Sequence, residues 1–328
     1  MKANHIRGRF APSPTGLMHV GNARTALAAW LSIRKQGGTF VWRLEDLDTP
    51  RVVPGMSEAA AFDLKWMGLD WDEGPELGGS YAPYKQSLRF DQYEEALRKL
   101  QQQDQIFPCS LSRKDLQSIA SAPHGMTGAS PYPIDLRPAR LKIDWFQSLL
   151  DADHPDASVR FKVLPGEVAF EDWVQGRLSQ NVLTEVGDYV VKRRDGMYAY
   201  QLAVVVDDIA MDITEVVRGS DLVDSTARQI QLIRALGGVV PAYAHVPLVL
   251  NHHGEKLSKR DEGLTIQSLR ENGIQPEQLV GYLAYSMGLI NEIIPISTGA
   301  LVDHFRWEVI NKKDWVLPDN LATLLSDI

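Results

Sequence analysis

Two short segments of the chain, His19-Val20-Gly21-Asn22 and Lys256-Leu257-Ser258-Lys259-Arg260, carry residue types suited to holding phosphate. A helix beginning near His19 would offer unpaired backbone N–H groups and a partial positive charge to an anion. Gly21 would let a ligand approach the backbone closely, and the His19 imidazole could hydrogen-bond a phosphate oxygen. A histidine at a helix start is also often only a cap or a surface residue, so the first segment alone does not decide the chemistry.

The second segment places three cations within five residues. Alone, such a run usually forms a solvated loop. A strand predicted over His245–Leu250 would carry the loop to the carboxyl end of a sheet, where open α/β sheets bind their ligands. There, Lys259 would neutralise charge on the phosphates of ATP, with Mg²⁺ brought in by the nucleotide. The two segments together predict attack of a carboxylate on the α-phosphate of ATP.

A further set of polar residues, Arg9, Glu45, Tyr200 and Arg218, lies within or at the ends of predicted strands. Strand ends meet at one rim of a parallel sheet, so these side chains could converge there. Glu45 suits the ammonium group of an amino acid, and an arginine suits a carboxylate through paired hydrogen bonds. Two arginines would suit a substrate with two carboxylates. Ordinary ion pairs at strand ends are the alternative, and we would prefer it without the phosphate segments.

The elements that would position these residues begin with a predicted βαβ unit. Ile6–Phe10 is typical of a short strand, which the prolines and glycine of residues 11–16 interrupt. A helix follows from about His19, and apolar residues recur along it at spacings of three and four residues: Val20, Ala23, Leu27, Trp30 and Leu31. Gly37 and Gly38 would end that helix, and Thr39–Leu44 is the next strand. The pattern predicts an α/β fold with a parallel sheet covered by helices.

Further along the chain the pattern predicts additional strands and helices. Met197–Val206 ends in an unbroken apolar run typical of a central strand, with Asp207 and Asp208 at its carboxyl end. The other predicted elements are a strand over Thr214–Arg218, helices over Ser57–Met67, Ser87–Gln103, Ser225–Leu236, Ile266–Asn272 and Pro276–Met287, and two weaker helices after Pro295. The stretch from about Phe107 to Val190, which includes a short helix capped near Ser112–Asp115, irregular chain over Ala120–Pro138 and a strand over Ser158–Val163, predicts an insertion.

Composition narrows the class of protein. No run of about 18 apolar residues occurs, and the N-terminus lacks an apolar stretch, so we expect neither a membrane span nor a secretory signal. Cys109 is the single cysteine, which excludes an intramolecular disulfide and fits a cytoplasmic protein. The net charge of −8 argues weakly against a nucleic-acid partner. Local basic groups at Arg137, Arg140 and Lys142, and at residues 192–194, leave such a partner open.

Four motifs in order resemble the class I glutamyl-tRNA synthetase family. They are Arg9-Phe10-Ala11-Pro12-Ser13-Pro14-Thr15-Gly16, His19-Val20-Gly21-Asn22, Arg43-Leu44-Glu45-Asp46 and Lys256-Leu257-Ser258-Lys259-Arg260. The resemblance runs from about Arg7 to Arg260. It implies a Rossmann-like, doubly wound catalytic domain in two halves, residues 1–106 and 195–262. An inserted α+β region of the acceptor-binding type would occupy residues 107–194, and a small helical region would occupy residues 263–328.

The resemblance also implies roles for individual residues. The ATP site would contain His19, Gly21, Asn22 and Lys259. The catalytic set would be His19, Gly21, Lys256 and Lys259. The residues implied around L-glutamate are Arg9, Phe10, Ala11, Pro12, Ser13, Glu45, Tyr200 and Arg218. The family therefore predicts a ligase that joins glutamate to AMP and then to an acceptor.

Within the family, the chain is more similar to the glutamyl-Q tRNA(Asp) synthetases. Only about 70 residues follow Arg260, too few for the helical anticodon-binding domains of a full synthetase. The stretches 46–55 and 192–203 also resemble the glutamyl-Q form. Such enzymes activate glutamate without tRNA, which full synthetases generally require, and transfer it to queuosine in the anticodon of tRNA(Asp). We therefore expect a monomer whose partners are L-glutamate, ATP and queuosine-containing tRNA(Asp).

Two alternatives stay open at this point. Asn22, Arg24 and Arg260 look more like the full synthetase, which favours a truncated glutamyl-tRNA synthetase that charges a tRNA 3′ end. A catalytically silent tRNA- or partner-binding module is the more distant alternative. The presence of both His19 and Lys259 argues against a silent module, because binding alone requires neither residue.

Many members of the glutamyl-Q branch hold zinc in the insertion with three cysteines and a tyrosine. Aligned on Tyr132-Pro133-Ile134-Asp135-Leu136-Arg137, this chain has Cys109 and Tyr132 at two of those positions and Leu111 and Leu136 at the others. Leucine has no lone pair, and a tetrahedral zinc site needs about four ligands. We therefore predict no zinc and a buried, apolar Cys109. His124, in a loop rich in glycine and proline, is expected at the surface.

Overall fold

A computed structural model describes residues 5–111, 115, 131–138, 141, 144–150, 157–257 and 261–328 of the chain. Within these ranges the strands are β1 (Arg7–Phe10), β2 (Thr39–Trp42), β3 (Ile106–Cys109), β4 (Ser158–Phe161), β5 (Val168–Asp172), β6 (Gly176–Gln180), β7 (Tyr189–Lys192), β8 (Glu215–Gly219), β9 (Ala242–Val246), β10 (Val249–Leu250) and β11 (Trp315–Val316). The α-helices are α1 (Val20–Lys35), α2 (Met56–Trp66), α3 (Phe90–Gln102), α4 (Trp145–Leu150), α5 (Val182–Glu185), α6 (Tyr200–Ala210), α7 (Val223–Ala235), α8 (Ile266–Glu271), α9 (Pro276–Met287), α10 (Thr298–Leu301) and α11 (Leu321–Ser326).

The main sheet has six strands in the order β2-β1-β8-β9-β5-β6. Neighbouring strands are parallel except β5 and β6, which are antiparallel. Successive strand residues point to opposite faces, and Phe40 and Trp42 accordingly join one apolar core while Val41 joins another. The first core includes α1, α2 and α9, and the second includes α3, α6 and α7. The predicted α/β class, with a Rossmann-like parallel sheet covered on both faces, is confirmed.

The βαβ unit predicted at the start of the chain is present as β1, α1 and β2. Helix α1 packs so closely on β1 that a Cβ at Gly8 would lie 2.5 Å from Cγ1 of Ile33. The helix ends at Lys35 with Gln36 as its C-cap, and Gly37 follows with φ of +63°, a conformation that glycine adopts without strain. The unit therefore fixes the start of α1 beside the end of β1, as the sequence predicts.

The strand predicted over Met197–Val206 is wrong, because this stretch contains helix α6. Its residues Leu202–Val206 are all buried, since α6 packs against α3 on one side and α7 on the other. A helix buried all round has no polar face, and its apolar run resembles that of a central strand. Asp207 and Asp208 consequently lie inside a helix, where both are buried, and not at the end of a strand.

The prediction of one continuous strand over His245–Leu250 is wrong, because two separate strands, β9 and β10, share this segment. Strand β9 ends at Val246 in the main sheet, and Pro247, which lacks a backbone N–H, follows it. The backbone N–H of Leu248 donates to Oδ1 of Asp314 at 2.7 Å. Strand β10 then pairs with β11 in a separate two-stranded sheet. The basic loop is therefore anchored by the C-terminal region as well as by the main sheet.

The segment expected as an insertion, residues 107–194, contributes to two sheets. Strands β3, β4 and β7 form a separate antiparallel sheet, whereas the β5–β6 hairpin extends the main sheet beside β9. Most of the capped helix predicted near Ser112–Asp115, and most of the irregular stretch predicted over Ala120–Pro138, lie outside the described residues. In the part of the chain that is described, no helix is long and apolar enough to cross a membrane.

Candidate active site

A cavity of about 480 Å³ opens at the carboxyl ends of β1, β8 and β9. Eleven of the residues predicted to form the site line it: Arg9, Phe10, Ala11, Ser13, His19, Gly21, Asn22, Glu45, Tyr200, Arg218 and Lys256. Pro12 lines a larger adjoining cavity of about 1020 Å³, which also contacts Ser13, His19 and Asn22. Lys259 lies outside the described residues. The strand ends, together with the helix starts and loops beside them, therefore bring these residues to one rim, although their sequence positions span most of the chain.

His19 is the N-cap of α1, and its imidazole is part of the cap. Its Nδ1 accepts hydrogen bonds from the backbone N–H groups of Gly21 at 3.1 Å and Asn22 at 3.2 Å. The Asn22 side chain in turn accepts from the backbone N–H of His19 at 3.4 Å. Burial lowers the pKa of His19, which favours the neutral ring. With Nδ1 accepting, the neutral ring carries its proton on Nε2, where it is a hydrogen-bond donor.

The sequence suggests that Gly21 lets a ligand approach the backbone, and the structure gives a second reason for a glycine at this position. A Cβ at this position would lie 3.0 Å from Cε1 and 3.1 Å from Nδ1 of His19. Such a contact would displace the imidazole from its cap position. The glycine is therefore explained by the cap geometry of His19, in addition to any close approach of a ligand to the backbone.

A buried charge network surrounds Glu45 at one side of the cavity. Arg9 reaches both oxygens of Asp208, with its Nε 3.2 Å from Oδ1, and Nη1 of Arg43 lies 2.7 Å from the same Oδ1. Nη2 of Arg43 donates to Oε1 of Glu45 at 3.3 Å. Burial opposes the charge of Asp208, but Arg9 and Arg43 outweigh this effect and lower its pKa. The contact between Arg43 and Asp208 is not visible in the sequence, because only the placement of α6 brings the two residues together.

Glu45 is the carboxylate of this network that lines the cavity. Burial raises the pKa of its carboxyl group, and Arg43 and Arg9 only partly oppose that effect. An ammonium group entering the cavity would stabilise the charged carboxylate through a hydrogen bond and its own charge. The geometry therefore suits binding of an amino group at Glu45.

Asp207 belongs to a separate buried set behind the cavity. Its carboxylate accepts from Gln86 at 2.8 Å, from Arg89 at 2.6 Å and from the hydroxyl of Tyr93 at 3.1 Å. With Asp208 bonded to two arginines as well, both carboxylates already have charged partners. These contacts give Asp207 and Asp208 structural roles that explain their burial without a metal ion.

Arg218 lies at the end of β8 and has only neutral partners among its described contacts. Its Nε donates to Nε2 of His245 at 2.9 Å, Nη1 donates to Gln229 at 2.7 Å, and Nη2 donates to Thr226 at 2.8 Å. Burial lowers the pKa of this guanidinium. A buried cation without an adjacent anion favours the binding of one. The three partners were not predicted, since strand pairing and the position of α7 are not visible in the sequence.

Tyr200 is the first residue of α6. The charges of Arg218 and Arg9 both act on its phenol. Burial raises the pKa of its phenol, with Glu45 acting in the same direction and Arg218 and Arg9 opposing it. The hydroxyl therefore stays protonated at neutral pH and can donate a hydrogen bond to a bound anion. It lines the cavity as predicted, but from a helix start and not from a strand.

The first two residues of the basic segment, Lys256 and Leu257, line the cavity. Lys256 forms an isolated bridge with Leu250, and its Nζ lies 3.4 Å from Oδ2 of Asp221, across the cavity rim. After the loop, the backbone N–H of Ile266 donates to the carbonyl of Met18 at 2.9 Å. Lys256 and Leu257 therefore line the same cavity as the start of α1, whereas residues 258–260 lie outside the described residues.

The described part of the insertion does not fit a zinc ion. Sγ of Cys109 lies 3.8 Å from the hydroxyl of Tyr132, and that hydroxyl donates to the carbonyl of Leu136 at 3.2 Å. Leu111 and Leu141 pack against the same cluster. One thiol and one phenol supply too few donors for a tetrahedral site. No group of three or more histidine, cysteine or acidic side chains within the described ranges could hold a metal, and part of the insertion lies outside those ranges.

The chain is similar to several known proteins. The family model for the catalytic domain of class I tRNA synthetases (E and Q) matches residues 5–312. The glutamyl-Q tRNA(Asp) synthetase of Symbiobacterium thermophilum is 46% identical over 322 residues, which cover 97% of this chain and 98% of that protein. A glutamate–tRNA ligase of Burkholderia mallei is 40% identical over 85% of this chain, and the match covers 57% of the ligase.

The fold is also similar to that of a solved synthetase. The crystal structure of the glutamate-tRNA synthetase from Elizabethkingia anophelis superimposes with a TM-score of 0.83 at 31% sequence identity. The superposition covers 98% of this chain and 70% of that one.

Proposed function

The chain belongs to the class I tRNA synthetases for glutamate and glutamine, and we propose that it activates L-glutamate with ATP and transfers it to queuosine in the anticodon of tRNA(Asp). Membership of this family makes it an ATP-using ligase. One observation carries the amino-acid specificity: a single cavity contains Glu45, the capped start of α1 and Arg218, whose described contacts include no anion.

Glutamate fits the charges around the cavity. Its ammonium group binds Glu45, and its side-chain carboxylate binds Arg218 through paired hydrogen bonds. A tight ion pair would reduce the nucleophilicity of a reacting carboxylate, so Arg218 suits the carboxylate that does not react. Glutamine would present an amide to the same buried cation, and a mismatch of this kind can cost factors of about 10²–10⁵ in specificity.

The first half-reaction is attack of the α-carboxylate on the α-phosphorus of ATP. A new O–P bond forms, the bond to the bridging oxygen breaks, and pyrophosphate leaves with that electron pair. The Nε2–H of His19 and the N-terminus of α1 stabilise charge on the phosphates, and Lys256 and Lys259 act from the basic loop. Asp207 and Asp208 are engaged with arginines, so a magnesium ion brought by ATP would be held by the phosphates, where it would neutralise part of their charge.

In the second half-reaction a hydroxyl of the acceptor attacks the glutamyl carbonyl. An ester bond forms, AMP leaves, and the hydroxyl proton is released. The chain needs no nucleophile of its own, since positioning and electrostatic stabilisation account for the chemistry. The match to the Symbiobacterium protein over nearly the full length of both chains supports queuosine as the acceptor.

The oligomeric state of the enzyme and its cellular location are part of the same proposal. The monomeric state expected from the sequence is part of this proposal and stays a prediction. Two similar proteins are named glutamyl-Q tRNA(Asp) synthetase. A reaction on tRNA supports a cytoplasmic location for this enzyme.

Exchange of labelled pyrophosphate into ATP tests the first half-reaction. We expect exchange that depends on L-glutamate, proceeds without tRNA and is much weaker with L-glutamine. No exchange with glutamate, or equal exchange with both amino acids, would contradict the proposed activation.

A second candidate is transfer of glutamate to a tRNA 3′ end. The 40% identity to the Burkholderia ligase over 85% of this chain favours it. This candidate predicts that tRNA without queuosine is an acceptor and that the label lies on the terminal ribose. The queuosine reaction predicts neither result.

A further inference from the structure

A buried row of three side chains connects the β5–β6 hairpin to the cavity. Oδ2 of Asp172 lies 2.6 Å from Nδ1 of His245, and Nε2 of His245 lies 2.9 Å from Nε of Arg218. His245 and Arg218 are direct partners in the register of the parallel strands β9 and β8. The side chains of Asp172 and His245 are fully buried, so neither can contact a substrate directly.

The hydrogen bonds define the protonation of the imidazole. A carboxylate can only accept, so Nδ1 of His245 donates to Asp172. Arg218 can only donate, so Nε2 of His245 accepts. The ring is therefore neutral, and burial lowers the pKa of His245 in agreement with this assignment.

Asp172 is itself fixed by the backbone. Its Oδ1 accepts from the N–H groups of Val174 at 3.0 Å and Gln175 at 2.8 Å, in the turn that follows β5. The backbone N–H of His245 also donates to Oδ2 at 3.1 Å. These bonds hold the carboxylate in one orientation, and through it they hold the plane of the imidazole.

The remaining contacts of Arg218 come from α7. Nη1 donates to Gln229, whose own amide donates to Oε1 of Gln201 at 2.9 Å, and Nη2 donates to Thr226. A guanidinium has five N–H groups, and these contacts with that to His245 use three of them. One N–H on each terminal nitrogen remains, and Arg218 lines the cavity. These two N–H groups are available to the oxygens of a bound carboxylate.

We propose that Asp172 and His245 are positioning residues, which orient Arg218 for the side-chain carboxylate of the substrate without neutralising its charge. This inference rests on the proposed activation of glutamate. Arg9 provides the contrast, because Asp208 holds it through both carboxylate oxygens and thereby neutralises it. A neutral imidazole orients the guanidinium equally well, yet leaves the full charge for the ligand. Asp172 bonds Nδ1 of His245, and it thereby keeps Nε2 directed at Arg218. Its negative charge lies on the far side of the imidazole ring from Arg218.

Two substitutions of His245 separate this role from a general structural one. In H245Q, the amide oxygen can occupy the position of Nε2 and accept from Arg218. In H245N, the amide nitrogen can keep the bond to Asp172 but offers Arg218 no acceptor. D172N removes the charge that fixes the ring. D188N is the matched control, because Asp188 is also a buried carboxylate that accepts backbone and arginine hydrogen bonds, from Val163 and Arg137.

Glutamate KM and ATP KM are measured by pyrophosphate exchange, with thermal unfolding followed on the same samples. We expect H245N to raise the glutamate KM about tenfold or more, the effect of losing one hydrogen bond to a charged group, with the ATP KM unchanged. The preference for glutamate over glutamine should narrow in parallel. H245Q should stay closer to the parent, D172N should be intermediate, and D188N should lower the melting temperature without changing the glutamate KM.

Two results would overturn the inference in an enzyme whose parent form is active. One is a glutamate KM in H245N and D172N that equals that of D188N. The other is a joint rise of glutamate KM and ATP KM that follows the loss of thermal stability. If H245N does not fold, the comparison of D172N with D188N decides the question, because both make the same chemical change. Absence of glutamate-dependent exchange in the parent would instead refute the proposed function, and the inference with it.

Discussion

Nδ1 of His19 accepts a hydrogen bond from the backbone N–H of Gly21 at 3.1 Å, so the imidazole both caps α1 and lines the cavity. The two interpretations of this histidine, a helix cap and a phosphate ligand, are therefore compatible. Nδ1 serves the helix, and the proton on Nε2 is left for the ligand. This division of the ring between two tasks can be tested by substitution.

Asparagine in place of His19 should separate the two tasks. Asparagine is a good N-cap, so H19N should unfold at nearly the same denaturant concentration as the parent. It cannot reach the phosphates as the imidazole does, and we expect exchange to slow about 10²-fold. H19A should show the same slowing and also lose about 1 kcal/mol of stability with the cap. Full exchange activity in H19N would exclude a phosphate contact by the imidazole.

Alanine in place of Gly21 should act through His19. The new Cβ would lie 3.0 Å from Cε1 of the imidazole, and displacement of the ring should slow exchange about tenfold to a hundredfold. Gly299 in α10 is the matched control, since a Cβ there meets no atom within 4 Å. G299A should keep full activity and be neutral or slightly stabilising. Equal kinetics for G21A and G299A would show that the cap geometry does not matter for activation.

Glutamine in place of Glu45 should weaken binding of the substrate's ammonium group. The loss of a charged hydrogen-bond partner predicts a glutamate KM raised about tenfold to a hundredfold, with little change in the ATP KM. E215Q makes the same change at a buried carboxyl group in the first residue of β8, at the opposite end of the sheet. We expect E215Q to bind glutamate normally. A glutamate KM in E45Q that matches the parent value would remove Glu45 from the site.

The stability of the protein should depend on pH through its buried histidines. Burial lowers the pKa of His19 and His245, so below about pH 6.5 the unfolded chain binds protons that the folded chain does not. The free energy of unfolding should therefore keep its full value above that pH and fall as the pH decreases below it. Urea unfolding at about pH 7.5 and about pH 5.5 measures this slope. H19N should show a shallower decrease, and a slope identical to the parent would contradict the assignment.

The sequence was sufficient to predict much of the site because parallel sheets collect strand ends at one edge. Arg9 in β1 and Arg218 in β8 needed only correct strand assignment to be placed at a common rim. The start of α1 followed from the turn signals before His19 and the apolar spacing after it. Turn residues and apolar spacing are local patterns, which can be recognised in the sequence without knowledge of the fold.

The relationships that were missed depend on pairing and packing. Asp208 was assigned to a strand end, and only the packing of α6 between α3 and α7 shows that it joins Arg9 to Arg43. The contact of His245 with Arg218 depends on the register of β9 against β8, which neither segment encodes alone. Long-range geometry of this kind separates an arginine that is neutralised from one that remains available to a substrate.

Transfer of labelled glutamate to tRNA(Asp), with the label located by nuclease digestion, shows directly whether queuosine is the acceptor. Two samples that differ only in queuosine, tRNA(Asp) from cells and its unmodified transcript, are incubated with enzyme, ATP and glutamate. We expect that only the modified tRNA is labelled and that the label is in the anticodon fragment. Label on the 3′-terminal nucleoside, or equal labelling of the unmodified transcript, would contradict it.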